Sequence, residues 1–203
     1  EAVNVFFAPL LEKLSYKEIK QLAQTLIFDL SQLAGARGGQ VSFTDFNVYA
    51  NIPNHYKDVY AMVEKGKFVV QDFLEDRYYF DEREDARKFA EENGYKILTY
   101  KDFAKESKLF ARAMLEVVEE GDADGMPFAF PKINFHINEE SFTDPDTKAL
   151  LMRACVASSK SGCPYFIFDR NACSVSQCCR LKIDFSAKDM ELIKTPEELR
   201  FVG

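Results

Sequence analysis

The chain has 203 residues, of which 47% are hydrophobic and 29% charged, and its net charge is −7. This length suits one domain with one sizeable core, and the negative charge argues against a dedicated nucleic-acid-binding surface, because neutralising phosphates requires a basic face. The five cysteines favour free thiols in a reducing cytoplasm over a disulfide framework, and no apolar run approaches the roughly 20 residues that span a bilayer.

Two helices are predicted first. An apolar helical pattern covers residues 3–14, and Ser15 and Glu18 form a capping box that opens a second helix through Leu33. Arg37, Gly38 and Gly39 follow, and residues 41–48 alternate as a strand does. The two glycines suit a tight turn, or a bare backbone that phosphate or sugar approaches beside the Arg37 cation.

The middle of the chain is dominated by charge. Residues 57–65 predict a short helix, and residues 81–93 and 104–120 predict two more, each followed by a glycine. We expect the stretch at about 75–124 to be a more exposed helical segment that is packed outside the core. The loop at 121–125 lacks the further ligands of a calcium site, so no metal is assigned there.

Residues 128–137 predict a long apolar strand with polar side chains on one face. Lys132, Asn134 and His136 alternate with Ile133 and Phe135. This row of donors suits either a substrate-binding wall or the solvated face of an edge strand. Beyond it, Asp144 caps a helix in which Cys155 falls on the apolar stripe, and residues 164–169 predict a buried strand.

A polar loop with thiols occupies residues 171–181, between that strand and an alternating strand at 181–185. It contains Cys173, Cys178 and Cys179. Tetrahedral zinc is disfavoured by the cysteine spacing, and thiol–disulfide exchange by the lack of a Cys-x-x-Cys motif. Radical chemistry at one inward cysteine is the third possibility, and composition alone does not choose among the three.

Several motifs together resemble the anaerobic (class III) ribonucleoside-triphosphate reductases, a family of glycyl-radical enzymes. They are the helices of residues 1–33, the segment 36–41, the strand at 127–137, and residues 162–166 leading into 176–181. The resemblance spans nearly the whole chain and is weakest at residues 75–124.

The resemblance implies a fold and a set of site residues. The fold is α/β, as part of a ten-stranded α/β barrel, with residues 171–181 as a finger loop that points inward, and residues 1–203 form a partial catalytic barrel domain. Cys179 would carry the thiyl radical, with Cys178 as the second candidate. Phosphate or ribose contacts would come from the residues Arg37, Gly38, Gly39, Lys132, Asn134 and Arg180.

The implied reaction converts ribonucleoside triphosphates to deoxyribonucleoside triphosphates. The thiyl abstracts the 3′ hydrogen of the ribose, the 2′ hydroxyl leaves as water, and a thiol pair or formate supplies electrons. The implied partners are the substrate, a radical-SAM activating enzyme, and a second copy or the remaining part of the reductase, with no nucleic acid and no membrane. The implied location is the cytoplasm.

The family's C-terminal radical glycine and its zinc site have no counterpart, and Gly203 is only the last residue. We therefore expect an internal fragment whose glycyl radical comes from a missing C-terminal segment, and which is inactive alone. The alternative is a non-catalytic stand-alone relative that binds a nucleotide or a partner subunit.

Overall fold

The structure is a computed structural model, and it describes residues 2–36, 44–170, 173–177 and 181–185. Among these residues the helices are α1 (Val3–Leu11), α2 (Tyr16–Ala36), α3 (Asn54–Lys57), α4 (Arg83–Asn93), α5 (Ala104–Glu120), α6 (Glu140–Thr143) and α7 (Pro145–Ser161). The strands are β1 (Asp45–Tyr49), β2 (Phe68–Gln71), β3 (Arg77–Phe80), β4 (Lys96–Ile97), β5 (Lys132–Ile137), β6 (Tyr165–Phe168), β7 (Cys173–Gln177) and β8 (Leu181–Phe185). The protein is thus of the mixed α/β class, as predicted.

A parallel sheet of three strands, in the order β1-β5-β6, organises the described part of the chain. Phe46 pairs with Ile133 and Val48 with Phe135, while Phe135 also pairs with Phe166 of β6. These apolar side chains belong to one buried cluster with the helices, as expected of a parallel sheet whose strands connect through helices. The strands predicted within 41–48, 128–137 and 164–169 are confirmed, and they lie in this one sheet.

Helix α5 crosses the centre of the helical layer and contacts α1, α2 and α7. Phe110, Ala113, Met114 and Leu115 on this helix are each 0% exposed. The expectation of a more exposed segment at about 75–124 is therefore wrong for α5. The charged residues of α5 suggested a helix with a solvent-exposed surface. Instead, the acidic side chains Glu116 and Glu119 form ion pairs at the border of its buried face.

The residues between β1 and α5 build a smaller sheet, in the order β3-β2-β4, with α4 packed against β2. Gly94 ends α4 in a left-handed conformation, as its sequence position predicts. The prediction of a helix at 57–65 is wrong. The four-residue α3 ends at Lys57, and the only other helical turn in this stretch is a 3-10 turn at Glu64–Gly66. Tyr60 and Met62, which lie between the two, form β-bridges instead.

β7 and β8 form an antiparallel hairpin in which Gln177 pairs with Leu181. The strand expected at 181–185 is confirmed, whereas Cys173 lies in a strand rather than in a loop. The hairpin lies beside the parallel sheet, with Cα atoms of β7 within 8 Å of Cα atoms of β1.

None of the helices in the described part of the chain is long and apolar enough to cross a membrane.

Candidate functional site

The candidate site is a pocket of about 300 Å³ at the carboxyl ends of the three parallel strands. Its lining comes from the residues that end or follow β1, β5 and β6, together with α3: Tyr49, Asn51, Pro53, Asn54, His55, His136, Asn138, Glu139, Glu140 and Asp169. In open parallel sheets, ligands bind at this edge, because the loops that leave the strands surround a crevice there. The volume is at the small end of the range for ligand sites.

The polar row on β5 continues across the sheet as a buried chain of hydrogen bonds. Asn134 is 4% exposed and donates from Nδ2 to Oδ2 of Asp45 at 3.0 Å. The same Nδ2 lies 3.5 Å from Oδ1 of Asn47, and Nε2 of His136 lies 3.2 Å from that oxygen. The reading of this row as a solvated edge is therefore wrong, because β5 is the central strand.

His136 closes the chain at the pocket. Its Nδ1 lies 2.9 and 3.1 Å from the two carboxylate oxygens of Asp169, and its ring stacks on Tyr49 with centroids 4.2 Å apart. The Asp169 carboxylate can only accept a hydrogen bond, here from Nδ1 of His136. On the other side of the ring, Nε2 faces Oδ1 of Asn47, the same oxygen that faces Nδ2 of Asn134. Both ring nitrogens of His136 thus face side-chain oxygen atoms, which fix the orientation of the ring.

A second polar network forms the opposite wall. Asn138 donates from Nδ2 to Oδ1 of Asn51 at 3.0 Å, and Asn51 in turn donates to Glu140. Lys57 lies 3.8 Å from the carboxylate of Glu140. Because these side chains hold one another, the pocket wall is ordered without a ligand.

The structure separates the residues that the sequence proposed for substrate binding. Lys132 begins β5, four residues before His136, so the strand rise of about 3.3 Å per residue places it some 13 Å from the pocket. Its Nζ lies 5.4 Å from the centre of the Phe130 ring. Asn134 takes part in the buried chain but does not line the pocket. Arg37, Gly38, Gly39, Cys178, Cys179 and Arg180 lie outside the described residues.

His136 belongs to the donor row that the sequence offered as a possible substrate-binding wall, whereas the sequence pointed to no site at Asp169, Asn51, Asn138, Glu139 or Glu140. The available signal was position, because Asn138 and Asp169 directly follow predicted strands and the carboxyl ends of parallel strands share one edge.

Two other cysteines are described. Cys155 is exposed on α7, so the prediction of a core thiol is wrong for it. Cys163 is buried just before β6, and burial raises the pKa of its thiol. Within the described ranges, no group of three or more His, Cys, Asp and Glu side chains is placed to hold a metal ion.

A larger cleft of about 690 Å³ lies between α5 and α7 and has a basic lining. Three of its four cations have acidic partners: Lys108 lies 3.2 Å from Asp144, Arg112 3.0 Å from Glu116, and Arg153 2.8 Å from Glu119. We therefore take the smaller pocket at the sheet edge as the candidate site.

Fold and pocket together define an α/β protein with a small polar pocket, the candidate ligand site, at the edge of a parallel sheet. The model of the family described as anaerobic ribonucleoside-triphosphate reductase matches residues 1–202, and the chain belongs to that family. No curated protein matches the chain. No solved structure matches it either.

Proposed function

We propose that this chain contributes the thiyl-bearing part of an anaerobic ribonucleotide reductase, which converts ribonucleoside triphosphates to their 2′-deoxy forms. The observation that carries the proposal is the family match over residues 1–202. The hairpin of β7 and β8 supports it, because its paired ends, Gln177 and Leu181, enclose the Cys178-Cys179-Arg180 sequence that carries the resemblance.

In this proposal, the three-stranded sheet is part of a ten-stranded barrel, and the hairpin is the finger that enters it. Both β1 and β5 belong to the parallel sheet, and β7 lies within 8 Å of β1, as a finger beside a barrel stave requires. Such an enclosure excludes water and oxygen from a radical, and it fixes the distance between the sulfur and the ribose.

The proposed reaction begins at the Cys179 sulfur. The Cys179 sulfur radical takes the hydrogen atom from C3′, leaving a carbon radical and a thiol. The bond from C2′ to its hydroxyl then breaks, and the hydroxyl leaves with a proton as water. A thiol pair or formate, with protons from the solvent where needed, then supplies two electrons and two protons, which complete the C2′–H bond and restore the 3′ hydroxyl. Finally the Cys179 thiol returns its hydrogen atom to C3′, which regenerates the sulfur radical.

A glycyl radical generated by a radical-SAM activating enzyme would supply the oxidising equivalent that converts the cysteine to its thiyl form. This chain's contribution is to hold Cys179, to bind the nucleotide and to keep water away. We propose that the chain does not turn over without that radical source, and that the enzyme works in the cytoplasm, as a homodimer or with other reductase segments.

The test is an anaerobic assay of this chain together with the reductase segment that carries the radical glycine, the activating enzyme and each of the four ribonucleoside triphosphates. Parallel reactions contain either a dithiol or formate as the electron donor. The proposal predicts deoxyribonucleotide in at least one of them. Nucleotide binding without product under every donor would contradict it and would favour a non-catalytic relative.

A further inference from the structure

We propose that the pocket at the carboxyl ends of β1, β5 and β6 binds the 2′,3′-diol of a ribonucleotide through Asp169, with His136 as its positioning residue. The identity of the ligand rests on the proposed function. The chemistry of the pocket follows from its own residues.

Asp169 is the group that can reach a ligand. The side chain of His136 is 1% exposed, whereas that of Asp169 is 14% exposed and lines the pocket. The backbone N–H of Asp169 donates to the carbonyl of Ile137 at 2.8 Å, which anchors the residue to β5. Nδ1 of His136 then fixes the carboxylate from behind.

The carboxylate keeps free acceptor capacity toward the pocket. Two oxygens offer about four lone-pair sites, and the single N–H of His136 is shared between them at 2.9 and 3.1 Å. The remaining sites suit two donors on adjacent atoms, which is what a vicinal diol presents. A preset acceptor of this kind binds hydroxyls with little loss of side-chain freedom.

The charge of the pocket favours hydroxyl groups over phosphates. Among the described residues that line it, none is Lys or Arg, while Asp169, Glu139 and Glu140 contribute carboxylates. These would repel a triphosphate, so the sugar would enter and the phosphates would point outward. A divalent cation suits the pocket less well, because the described residues hold no cluster of three ligands placed for a metal.

This arrangement would distinguish substrate from product. A site built to bind a hydroxyl discriminates strongly against the analogue that lacks it, because a buried polar group is then left unpaired. The 2′-deoxy product would lose one of the two hydrogen bonds to Asp169. The pocket would therefore bind the product more weakly than the substrate, and the product would dissociate more readily.

The test measures the affinity of the full protein for each ribonucleoside triphosphate and for its 2′-deoxy counterpart by calorimetry. Hydrogen bonds to a charged group give an expected preference for the ribonucleotide of about tenfold or more. Asp169→Ala should abolish this preference: it should lower ribonucleotide affinity about tenfold more than 2′-deoxynucleotide affinity, because the ribonucleotide loses two hydrogen bonds and the 2′-deoxy form loses one. Asp124→Asn, in the loop before β5, is the matched control and should change neither.

Two variants of His136 separate positioning from simple packing. His136→Asn keeps a donor near the position of Nδ1 and should retain most of the preference. His136→Leu removes the donor and should lose the preference while the protein stays folded. Equal loss in both would overturn the positioning role. If Asp169→Ala does not fold, Asp169→Asn keeps the shape and should still reduce the preference.

The result that would overturn the proposal is equal affinity of the wild type for both nucleotide forms, or a preference unchanged in the folded Asp169 variants. Its failure differs from failure of the proposed function. If Asp169→Ala reduced ribonucleotides with an unaltered KM, the proposed role of the pocket would be refuted and the proposed function would stand. If the protein preferred ribonucleotides in a way that depends on Asp169 but formed no deoxyribonucleotide, the proposed function would be refuted and the proposed role of the pocket would stand.

Discussion

The side-chain amide of Asn4 in α1 hydrogen-bonds both backbone groups of Tyr49, at the end of β1. Its Nδ2 donates to the carbonyl of Tyr49 at 2.9 Å, and its Oδ1 accepts from the N–H of Tyr49 at 3.0 Å. Asn4 is 0% exposed and also donates to Oγ of Ser107 at 2.8 Å. One side chain thus replaces a strand neighbour at the edge of the sheet and fixes a residue that lines the pocket.

We predict that Asn4→Ala lowers the free energy of unfolding by about 2–4 kcal/mol, because both backbone groups of Tyr49 lose their partner in a buried place. Chemical denaturation measures the change. Asn93→Ala is the control, since the exposed Asn93 only donates to the carbonyl of Phe89, and it should cost less than about 0.5 kcal/mol. Equal losses in the two variants would contradict the bracing role of Asn4.

The central position of α5 makes a second prediction. Met114 is 0% exposed on α5, whereas Met152 is 57% exposed on α7. Met114→Ala should lower the free energy of unfolding by about 2–5 kcal/mol, because it leaves a cavity in the core. Met152→Ala, the same truncation on an exposed face, should stay within about 0.5 kcal/mol. If Met114→Ala lowered the free energy of unfolding no more than Met152→Ala does, the central, buried position of α5 would be contradicted.

The acid limit of stability should depend on Asp144, which caps α7. Hydrogen bonds from the hydroxyl and backbone N–H of Thr147, and then Lys108, lower the pKa of Asp144 from 3.8 to about 2. Because the pKa is lower in the folded state, the ionised group stabilises the fold above pH 3.8, and this stabilisation is lost as the pH falls toward about 2.

Asp144→Asn keeps a capping side chain and removes the charge, so it isolates this effect. We expect its melting temperature to lie below that of the wild type at pH 6, and the difference to shrink between pH 4 and pH 2. Asp124→Asn is the exposed control. A difference that does not depend on pH would contradict the assignment.

Thiol reactivity should separate the two described cysteines. Cys155 is exposed, whereas Cys163 is buried and the pKa of its thiol is raised by burial. Since the thiolate is the reactive form, we predict that a maleimide modifies Cys155 much faster than Cys163 at pH 7. Peptide mapping by mass spectrometry measures both rates in one sample. Similar rates in the folded protein would contradict the placement of Cys163.

Local chemistry made part of this fold predictable from the sequence. Ser15 and Glu18 form the predicted capping box, with Oε2 of Glu18 accepting from the N–H of Ser15 at 2.8 Å. The aromatic and β-branched runs of β1, β5 and β6 were long enough to predict one sheet. Such signals depend only on residues that are close together in the sequence, so one amino-acid sequence is sufficient to detect them.

The site itself depended on tertiary register. His136 and Asp169 are 33 residues apart and meet only because β5 and β6 pair in parallel with Ile137 opposite Phe168. Nothing in the local pattern of either strand specifies that alignment. Burial of α5 was missed for a related reason, since its acidic residues find cationic partners on other helices, such as Arg153 of α7.

We propose that Cys179 carries the radical that begins ribonucleotide reduction. The most direct measurement is deoxyribonucleotide formation by this chain together with the activated segment that carries the glycyl radical. The variants compared are Cys179→Ser, Cys178→Ser and the surface control Cys155→Ser, and substrate deuterated at C3′ competes with unlabelled substrate. We predict no product from Cys179→Ser, product from the other two variants, and deuterium enrichment in the remaining substrate. Product from Cys179→Ser at the wild-type rate, with no enrichment, would contradict the claim.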